Sequence, residues 1–300
     1  MKLVRFSTNG QAPRLGILDG ERVVDVQQSL AATLAHRGVV RAQEIAEALV
    51  PQSTRRFLEG GAASRDAVAA ITEWVTVPRA SARLHAPISD PGKFICIGLN
   101  YKDHAEEAGM PIPKEPPIFP KWNNTILDPG EPILRPRGST QLDWEVELGV
   151  VIGRTARHVP REQALDYVWG YVNINDVSAR DFQFITSQWS AGKIADTFAP
   201  IGPFIADRAE IPDPHVLDLK LWVNGTQMQS GNTRTFIFDV RYIVSYLSGL
   251  LTLEPGDLIA TGTPPGVGFA KKPPVFMQPG DVCRLEITGL GTLENPVKDG

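Results

Sequence analysis

The sequence has few of the residues that build cross-linked or zinc-stabilised folds. Only 2 of its 300 residues are cysteines, Cys96 and Cys283, and neither lies in a CxxC or Cys/His cluster. Two cysteines cannot form a disulfide framework, and the spacing does not suggest a zinc site. Both lie in apolar strand patterns and are predicted to be inert packing residues. We therefore expect a reducing environment.

Net positive charge and long apolar runs are also missing. The chain has 30 Lys and Arg against 34 Asp and Glu, a net charge of −4. Nucleic-acid binding usually needs a basic patch, so this balance argues against it. No apolar run approaches the ~18 residues of a membrane span, and the first ten residues lack the apolar segment of a signal peptide. The sequence predicts a cytoplasmic protein with no nucleic-acid or membrane partner.

Glycine and proline, in contrast, are abundant. The chain has 27 Gly and 25 Pro, about 17% of its length against an average of roughly 12%. This excess favours many turns and short strands, and therefore an α+β fold that is mainly β. The length corresponds to about two domains at ~150 residues each. We place the boundary near residue 80, between a small N-terminal α+β domain (1–80) and a larger domain (81–300).

Local patterns predict short elements throughout. Segment 111–120 holds five prolines and is predicted to be extended, neither helical nor a central strand. Asp19-Gly20 and Asn224-Gly225 predict hairpin turns. Strands are predicted at Lys2–Phe6, Arg14–Leu18, Glu21–Val26, Lys93–Leu99, Trp144–Ile152, Val168–Asp176, Leu217–Val223 and Thr226–Gln229, and helices at 27–50, 62–75, 100–109 and 239–250.

The most informative stretch for chemistry is Asp143-Trp144-Glu145-Val146-Glu147. Side chains on a strand alternate between faces, so Glu145 and Glu147 project to the same side. Two like charges repel, and burying either alone is costly. A bound cation, nearby Arg or Lys, or plain solvent could each compensate, and the stretch alone does not choose among them.

A third carboxylate, Asp176, ends an apolar strand. It is either the N-cap of a helix over 178–182 or a third metal ligand. Three carboxylates without Cys or His spacing favour a hard ion, Mg²⁺ or Mn²⁺. Ca²⁺ is the less favoured alternative, because the sequence has no EF-hand pattern.

Two further groups could act on a substrate. His104 and Glu107 are spaced i, i+3 and share a face on a helix, where Glu107 could orient the imidazole as a base that activates water. A surface His–Glu pair is the alternative. Lys193 follows Gly192 and could stabilise an oxyanion, but no phosphate-binding loop surrounds it.

Several long segments between residues 93 and 290 resemble, in the same order, the fumarylacetoacetate hydrolase family. The resemblance is closest to its diketo-deoxy-sugar-acid and acylpyruvate hydrolases, and it implies a mixed β-roll catalytic domain and usually a homodimer. The matching segments are GLNYKDHAEE, DWEVELGVVIG, YVNINDVSARDFQ, GKIADTFAPIGP, VNGTQMQSG, YLSGLLTLEPGDLIATGTPPGVG and PGDVCRLEITGLG.

The resemblance also implies roles for individual residues. Ile194 and Trp122 depart from the smaller residues common in the family, which suggests a reshaped substrate pocket. The implied roles are metal binding for Glu145, Glu147 and Asp176, water activation for His104 and Glu107, an active-site lysine for Lys193, and substrate binding for Lys121, Arg180, Gln183 and Thr263.

The implied activity is metal-dependent hydrolysis of a C–C bond in a 2,4-diketo acid, giving a pyruvate-type product and a carboxylic acid. Decarboxylation of a 2-oxo acid such as oxaloacetate and isomerisation of an unsaturated diacid are alternatives, because the same metal site could serve them. Hydrolysis needs a water-activating dyad and a decarboxylase does not, so His104 and Glu107 favour the hydrolase. A non-catalytic protein that binds a 2-oxo acid is a further alternative.

Overall fold

The computed structural model describes residues 1–107 and 109–300. Strands dominate, which confirms the predicted α+β, mainly β class. The strands are β1 (Lys2–Ser7), β2 (Arg14–Asp19), β3 (Arg22–Asp25), β4 (Thr76–Pro78), β5 (Arg83–His85), β6 (Phe94–Ile97), β7 (Ile118–Lys121), β8 (Ile126–Leu127), β9 (Ile133–Arg135), β10 (Leu142–Asp143), β11 (Val146–Ile152), β12 (Val168–Asn175), β13 (Ser178–Ala179), β14 (Ala199–Asp207), β15 (Asp218–Val223), β16 (Thr226–Asn232), β17 (Leu258–Ala260), β18 (Val282–Ile287) and β19 (Thr292–Asp299).

Helices are short. In the described part of the chain, none is long and apolar enough to cross a membrane. The α-helices are α1 (Val26–His36), α2 (Ala42–Leu49), α3 (Thr54–Glu59), α4 (Gly61–Ala69), α5 (Lys102–Glu107), α6 (Arg180–Gln183) and α7 (Val240–Leu250). Segments of 3₁₀ helix lie at Arg79–Ser81, Asn123–Thr125, Arg161–Tyr167, Trp189–Gly192, Thr233–Thr235 and Gly268–Ala270.

The strands of the described residues form three sheets, one of 12 strands, one of five, and one of two in which β10 pairs with β13. The large sheet has 12 strands in the order β4-β3-β2-β1-β14-β12-β11-β17-β6-β7, with β5 on β1 and β8 on β14. The five-stranded sheet has the order β16-β15-β18-β19-β9. One apolar core includes residues of both of these sheets and of α7, and a second packs α1 to α4 against the other face of the large sheet. The large sheet is therefore buried on both faces, which explains the long apolar runs of β11 and β12.

Strands on either side of the predicted boundary near residue 80 belong to the same sheet. Strand β1 pairs with β14, and Leu3 lies opposite Ile205. The division into 1–80 and 81–300 therefore remains a prediction about domains, while the hydrogen bonding of the large sheet runs across it.

A buried polar link also connects β1 to the larger part. The Ser7 hydroxyl lies 2.9 Å from Nε2 of His85, whose Nδ1 lies 2.6 Å from Oδ2 of Asp128. The three side chains thus join three segments of the chain. Because Ser7 is only 5% exposed, its hydroxyl is not presented to solvent as a nucleophile.

Both predicted hairpins are confirmed, whereas two predicted helices are wrong in extent. The stretch 27–50 forms two helices, because Gly38 and Arg41 between them adopt left-handed backbone with φ of 74° and 67°. The predicted helix over 62–75 ends at Ala69, and Trp74 is 56% exposed. Segment 111–120 contains no helix, and its last residues form β7, an edge strand in which Pro120 is tolerated.

The strand predicted from Trp144 begins two residues later, and this break shapes the site. Side chains satisfy the backbone N–H groups there, because Asn175 Oδ1 accepts from Glu145 and Gln229 Oε1 accepts from Val146, each at 3.0 Å. The chain thus changes direction just before β11 while its buried N–H groups stay bonded.

Candidate active site and metal centre

Three buried carboxylates lie together at one end of the two central strands. Glu145, Glu147 and Asp176 each offer an oxygen within 4.8 Å of the others, and they are 6%, 1% and 0% exposed. Antiparallel pairing places Val146 opposite Asn175, so Asp176 directly after β12 lies beside Glu145. The structure therefore brings together the three carboxylates that the sequence predicts as metal ligands.

Basic side chains compensate two of these carboxylates. The Lys193 ammonium lies 2.8 Å from Glu145 Oε2 and 2.7 Å from Asp176 Oδ2, and the Arg180 guanidinium lies 2.6 Å from Glu145 Oε1. Burial opposes ionisation of Glu145, but Lys193 and Arg180 lower its pKa to about 2. Asp176 is not a helix N-cap, since Ala179 occupies that position before α6.

Glu147 differs from its neighbours. Its Oε2 accepts the Gly262 N–H at 2.8 Å, and in the described ranges no basic side chain forms an ion pair with it. Burial, together with Asp176 and Glu145, raises the pKa of Glu147 well above its ordinary value. A buried carboxylate that lacks a cation is costly, and a metal ion would stabilise its ionised form.

The donor set fits a divalent cation. Four buried carboxylates, those of Asp143, Glu145, Glu147 and Asp176, face three buried basic groups, those of Lys121, Arg180 and Lys193. This leaves one negative charge uncompensated. All three candidate ligands offer oxygen, which hard divalent ions prefer, and none offers sulfur or imidazole.

Arg180 is held on both sides. Its Nε donates to Asp143 Oδ2 at 2.8 Å, and a terminal nitrogen donates to Gln183 Oε1 at 2.8 Å. Burial lowers the pKa of Arg180, but Asp143 and Glu145 outweigh it and raise the pKa above its ordinary value. Arg180 and Gln183 both line the pocket next to the carboxylate cluster.

Lys121 lies behind the cluster. Its ammonium donates to the carbonyls of Val177, Lys193 and Phe198 at 2.7–3.2 Å and lies 2.8 Å from Asp176 Oδ1. It is 2% exposed and does not line the pocket. These contacts fit a role in which Lys121 positions Asp176 and the Lys193 backbone. They fit the predicted contact with substrate less well.

The hydroxyl of Thr263 lines the pocket but is engaged. It donates to the Val146 carbonyl at 3.0 Å and accepts from Gln229 Nε2 at 2.8 Å. One lone pair of Thr263 Oγ1 is left for a substrate donor, so the predicted oxygen-binding role remains a proposal.

His104 and Glu107 lie on α5, and His104 lines the pocket. His104 Nδ1 is 3.7 Å from Glu107 Oε2, longer than a hydrogen bond, and this nitrogen is buried without a partner in the described chain. Glu107 is anchored by the Gly266 N–H at 2.9 Å. Burial opposes ionisation of Glu107, yet His104 and this N–H lower its pKa below the ordinary value. The surface-pair alternative does not hold for His104, which is 6% exposed.

A small cavity connects these groups. It measures about 40 Å³, enough for a few water molecules. Its lining combines the acidic cluster with apolar side chains: Ile97, Gly98, Leu99, His104, Met110, Phe119, Glu145, Glu147, Arg180, Gln183, Phe184, Trp189, Lys193, Thr263 and Phe269.

Sequence reasoning missed two residues that organise the site. Asp143 is fully buried and accepts from Arg180, Gly268 and Phe269. Asp143 lies two residues before Glu145 and four before Glu147. The alternation of side chains along a strand could therefore have identified it. Gln229 is 1% exposed and links Val146 to Thr263, but it follows a hairpin turn, and nothing in its local pattern points to the site.

Known proteins that are similar in fold and sequence identify the family. Residues 93–298 match the family described as fumarylacetoacetate (FAA) hydrolase C-terminal. A Burkholderia lata protein named "Putative hydrolase" is 45% identical over 298 residues, covering 97% of this chain and 96% of that protein. The crystal structure of maleylpyruvate hydrolase from Sphingobium sp. SYK-6, in complex with manganese(II) ion and pyruvate, is 32% identical with a TM-score of 0.77 and covers 100% of both chains.

A solved isomerase is equally similar. The 2-hydroxyhepta-2,4-diene-1,7-dioate isomerase from Mycobacterium marinum is 33% identical with a TM-score of 0.75, covering 100% of this chain and 98% of that one. The matches therefore include both hydrolases and isomerases. The chain is an enzyme that belongs to the fumarylacetoacetate hydrolase family.

Proposed function

We propose that this enzyme hydrolyses a C–C bond in a 2,4-diketo acid of the acylpyruvate type, giving pyruvate or a close analogue and a carboxylic acid. The observation that carries the proposal is one pocket lined by the Glu145 and Glu147 carboxylates, with Asp176 beside them, and by the buried imidazole of His104. The first three groups suit a divalent cation, and the last suits a base that activates water.

Glu145, Glu147 and Asp176 would hold the cation, with Mg²⁺ or Mn²⁺ as the proposed ion and Ca²⁺ as the alternative. When bound, the ion supplies Lewis-acid polarisation of the oxygens at the 2-oxo acid end of the substrate. Manganese and pyruvate are present together in the solved maleylpyruvate hydrolase, which supports both the ion and the product class.

His104 would take a proton from the attacking water. Its Nδ1 faces Glu107, which the Gly266 N–H anchors. Glu107 would thus orient the ring and stabilise the imidazolium that forms, while Nε2 is the nitrogen left to act on water. Catalytic hydrogen bonds are often long in ligand-free sites, so the 3.7 Å separation is compatible with this role.

The basic groups of the pocket would bind and stabilise negative charge. Lys193 is fully buried, and although burial lowers its pKa, Asp176 and Glu145 raise it above the ordinary value, so the group is a permanent cation. It can stabilise the oxyanion that forms when water adds to the C4 carbonyl of the substrate. Collapse of that adduct breaks the C3–C4 bond and gives the carboxylic acid, and the proton that His104 took from water would pass to the pyruvate enolate that leaves. Arg180 and Gln183 would bind substrate oxygens. Thr263 would accept from a substrate hydroxyl through its free lone pair. Lys121 would position Asp176 and the Lys193 backbone.

Isomerisation of an unsaturated 2-oxo diacid is the second candidate. The solved isomerase relative favours it, being 33% identical over the whole chain. It requires the same cation and a base, but no attack by water.

A product screen tests the two candidates. The purified enzyme is incubated with Mg²⁺ or Mn²⁺ and with acylpyruvates, fumarylpyruvate, diketo-deoxy sugar acids, oxaloacetate or an unsaturated 2-oxo diacid. Formation of pyruvate plus a carboxylic acid supports the hydrolase. Pyruvate plus CO₂, or an isomer of unchanged mass, would contradict it and identify a decarboxylase or an isomerase. If compounds bind but none is turned over, the result would support the alternative of a non-catalytic protein that binds a 2-oxo acid.

We further propose that the enzyme is a cytoplasmic homodimer whose partners are small 2-oxo or diketo acids. Membrane and nucleic-acid partners are not expected. Size-exclusion chromatography with light scattering measures the oligomeric state, and a monomeric mass would contradict the dimer.

A further inference from the structure

Four aromatic rings form much of the apolar lining of the pocket. Phe119 and Trp189 meet edge to face with ring centroids 5.9 Å apart, and Phe184 and Phe269 do the same at 5.8 Å. All four line the pocket, together with Met110. We call Phe119, Phe184, Trp189 and Phe269 the aromatic wall.

Backbone features hold this wall in place. A Cβ atom on Gly98 would lie 2.3 Å from Trp189 Cζ3, so only glycine lets the indole pack across the backbone. The N–H of Phe269 donates to buried Asp143 at 3.0 Å. The wall is therefore a built part of the site and not an accidental contact of loops.

The charged groups that line the pocket belong to the carboxylate cluster or are bonded to it. The lining cations are Arg180 and Lys193, and each is paired with buried carboxylates of the cluster. Both cations lie against the wall, with Arg180 Cζ 4.5 Å from the Phe269 ring centroid and Lys193 Nζ 5.1 Å from the Phe119 ring centroid. Among the described lining residues no other ammonium or guanidinium is present. Lys271 is close enough to Glu107 to lower its pKa, but it does not line the pocket.

Because both cations are already paired with buried carboxylates, a second carboxylate on the substrate would find rings and no unpaired counter-charge among the described lining residues. Removing a carboxylate from water without a partner is strongly unfavourable, whereas an apolar group gains from the same surroundings. Two lining side chains that reach the surface are also apolar, since Met110 and Phe184 are 37% and 53% exposed.

We propose that the enzyme selects 2-oxo acids that carry an uncharged, apolar acyl group, and that the aromatic wall is the specificity-determining surface. This inference rests on the proposed function, since it assumes that the 2-oxo acid end lies at the metal centre. It separates this chain from an enzyme for a diacid such as maleylpyruvate, the substrate in the name of a solved relative.

A matched pair of substrates tests the inference. Succinylpyruvate is compared with its neutral isostere, in which an isopropyl group replaces the terminal carboxylate. We expect kcat/KM to be at least about tenfold higher for the isostere. Calorimetric titration of the metal-loaded enzyme with non-cleavable 2-oxo acids that carry the same two tails should give the same order of affinity without turnover.

Two variants extend the test. Phe184→Arg adds a cation to the exposed rim and should shift the diacid-to-isostere ratio of kcat/KM toward the diacid by at least about fivefold. Ile185→Arg adds the same charge at the next residue, which is 70% exposed and outside the lining. It should leave the ratio within about twofold of wild type, because surface charges are screened.

The outcomes separate the two proposals. If succinylpyruvate is cleaved as well as or better than the isostere, the inference is overturned while the proposed function stands. An equal shift of the ratio in both arginine variants also overturns it, since the effect would then be general electrostatics. If neither compound is cleaved or bound, the proposed function fails, and the inference fails with it.

Discussion

The imidazole of His104 lies 3.7 Å from the carboxylate of Glu107, and a backbone N–H from the TGTPPG loop fixes that carboxylate in turn. Replacing Glu107 by Gln keeps an acceptor for this N–H but removes the charge that stabilises an imidazolium. We expect kcat to fall, though by less than the ~10²–10⁴ expected for His104→Ala, while Mn²⁺ affinity measured by calorimetry stays unchanged.

The control for Glu107 is Glu106→Gln, one residue away on the same helix and 61% exposed. It should keep wild-type kcat. Because the pKa of Glu107 lies below its ordinary value of 4.5, the carboxylate is ionised from about pH 5 upward. It should therefore contribute no acid limb to the pH–rate profile above that pH. A Glu107→Gln enzyme with full activity would remove this residue from the mechanism.

Glu147 is a buried carboxyl with no basic partner in the described structure, so its substitution should affect two measurements differently. In Glu147→Gln, calorimetric Mn²⁺ affinity should fall by more than the ~10–100-fold typical of residues that only support a ligand. The unfolding free energy of chelator-treated protein should stay equal or rise, because the amide replaces a carboxyl whose ionised form is unfavourable without a cation. Glu254→Gln, at a 54% exposed site, is the matched control and should alter neither value. Unchanged metal affinity would contradict the ligand assignment.

The carboxylate cluster shows how far the sequence could be interpreted. Strand alternation placed Glu145 and Glu147 on one side, and the apolar strand before Asp176 placed that residue at a strand end. Their proximity then follows from the β11–β12 pairing. The group that neutralises Glu145 and Asp176 could not be derived in this way, because Lys193 reaches them from a distant loop. The sequence pattern alone did not choose among solvent, a bound cation and basic side chains.

Long-range packing also explains the other gaps. The pairing of β1 with β14 joins segments far apart in the chain, so a composition-based boundary near residue 80 could not reveal it. The aromatic wall combines Phe119 from an edge strand with Phe184, Trp189 and Phe269 from separate turns. Local periodicity carries no information on such an assembly.

Lys193 should be needed for turnover but not for metal binding. In Lys193→Met, the methyl thioether keeps the bulk while the ammonium that bridges Glu145 and Asp176 is lost. We expect kcat to fall by ~10²–10³, the range found when one oxyanion-stabilising donor is removed. Mn²⁺ affinity should be equal or higher, since a competing cation is gone.

Thermal unfolding separates this role from a structural one. Chelator-treated Lys193→Met should have a lower Tm than wild type, because two buried carboxylates lose a cation, and Mn²⁺ should raise its Tm more than it raises that of wild type. Lys220→Met, at an exposed position of β15, should match wild type in all measurements. Weaker Mn²⁺ binding in Lys193→Met would overturn the assignment.

Both cysteines should be chemically silent in the folded protein. Burial raises the pKa of Cys283 to about 12 and that of Cys96 well above its ordinary value. At pH 8 the thiol of Cys283 is therefore protonated in all but about one molecule in 10⁴. An aromatic disulfide reagent at pH 8 should detect two thiols in urea and none in the native enzyme. Rapid reaction of a native thiol would contradict the packing role.

Asp143 should stabilise the enzyme mainly through Arg180 and the loop that carries Phe269. Its two oxygens accept from the Gly268 and Phe269 N–H groups and from Arg180 Nε at 2.7–3.0 Å. An amide in its place has one acceptor oxygen and turns an NH₂ group toward these donors. Asp143→Asn should therefore lower the unfolding free energy by about 3–5 kcal/mol, as when one partner of a buried ion pair is removed.

A double-mutant cycle with Arg180→Met identifies the source of that loss. If the ion pair carries it, Asp143→Asn with Arg180→Met should cost clearly less than the two single substitutions added together, because neither partner of the Asp143–Arg180 pair is then left alone while Glu145 keeps Lys193. Additive losses would show that Asp143 acts through the loop N–H groups instead. Urea denaturation measures the unfolding free energy of wild type, the two single variants and the double variant. All four proteins are treated with chelator, so that metal binding cannot mask the coupling between Asp143 and Arg180.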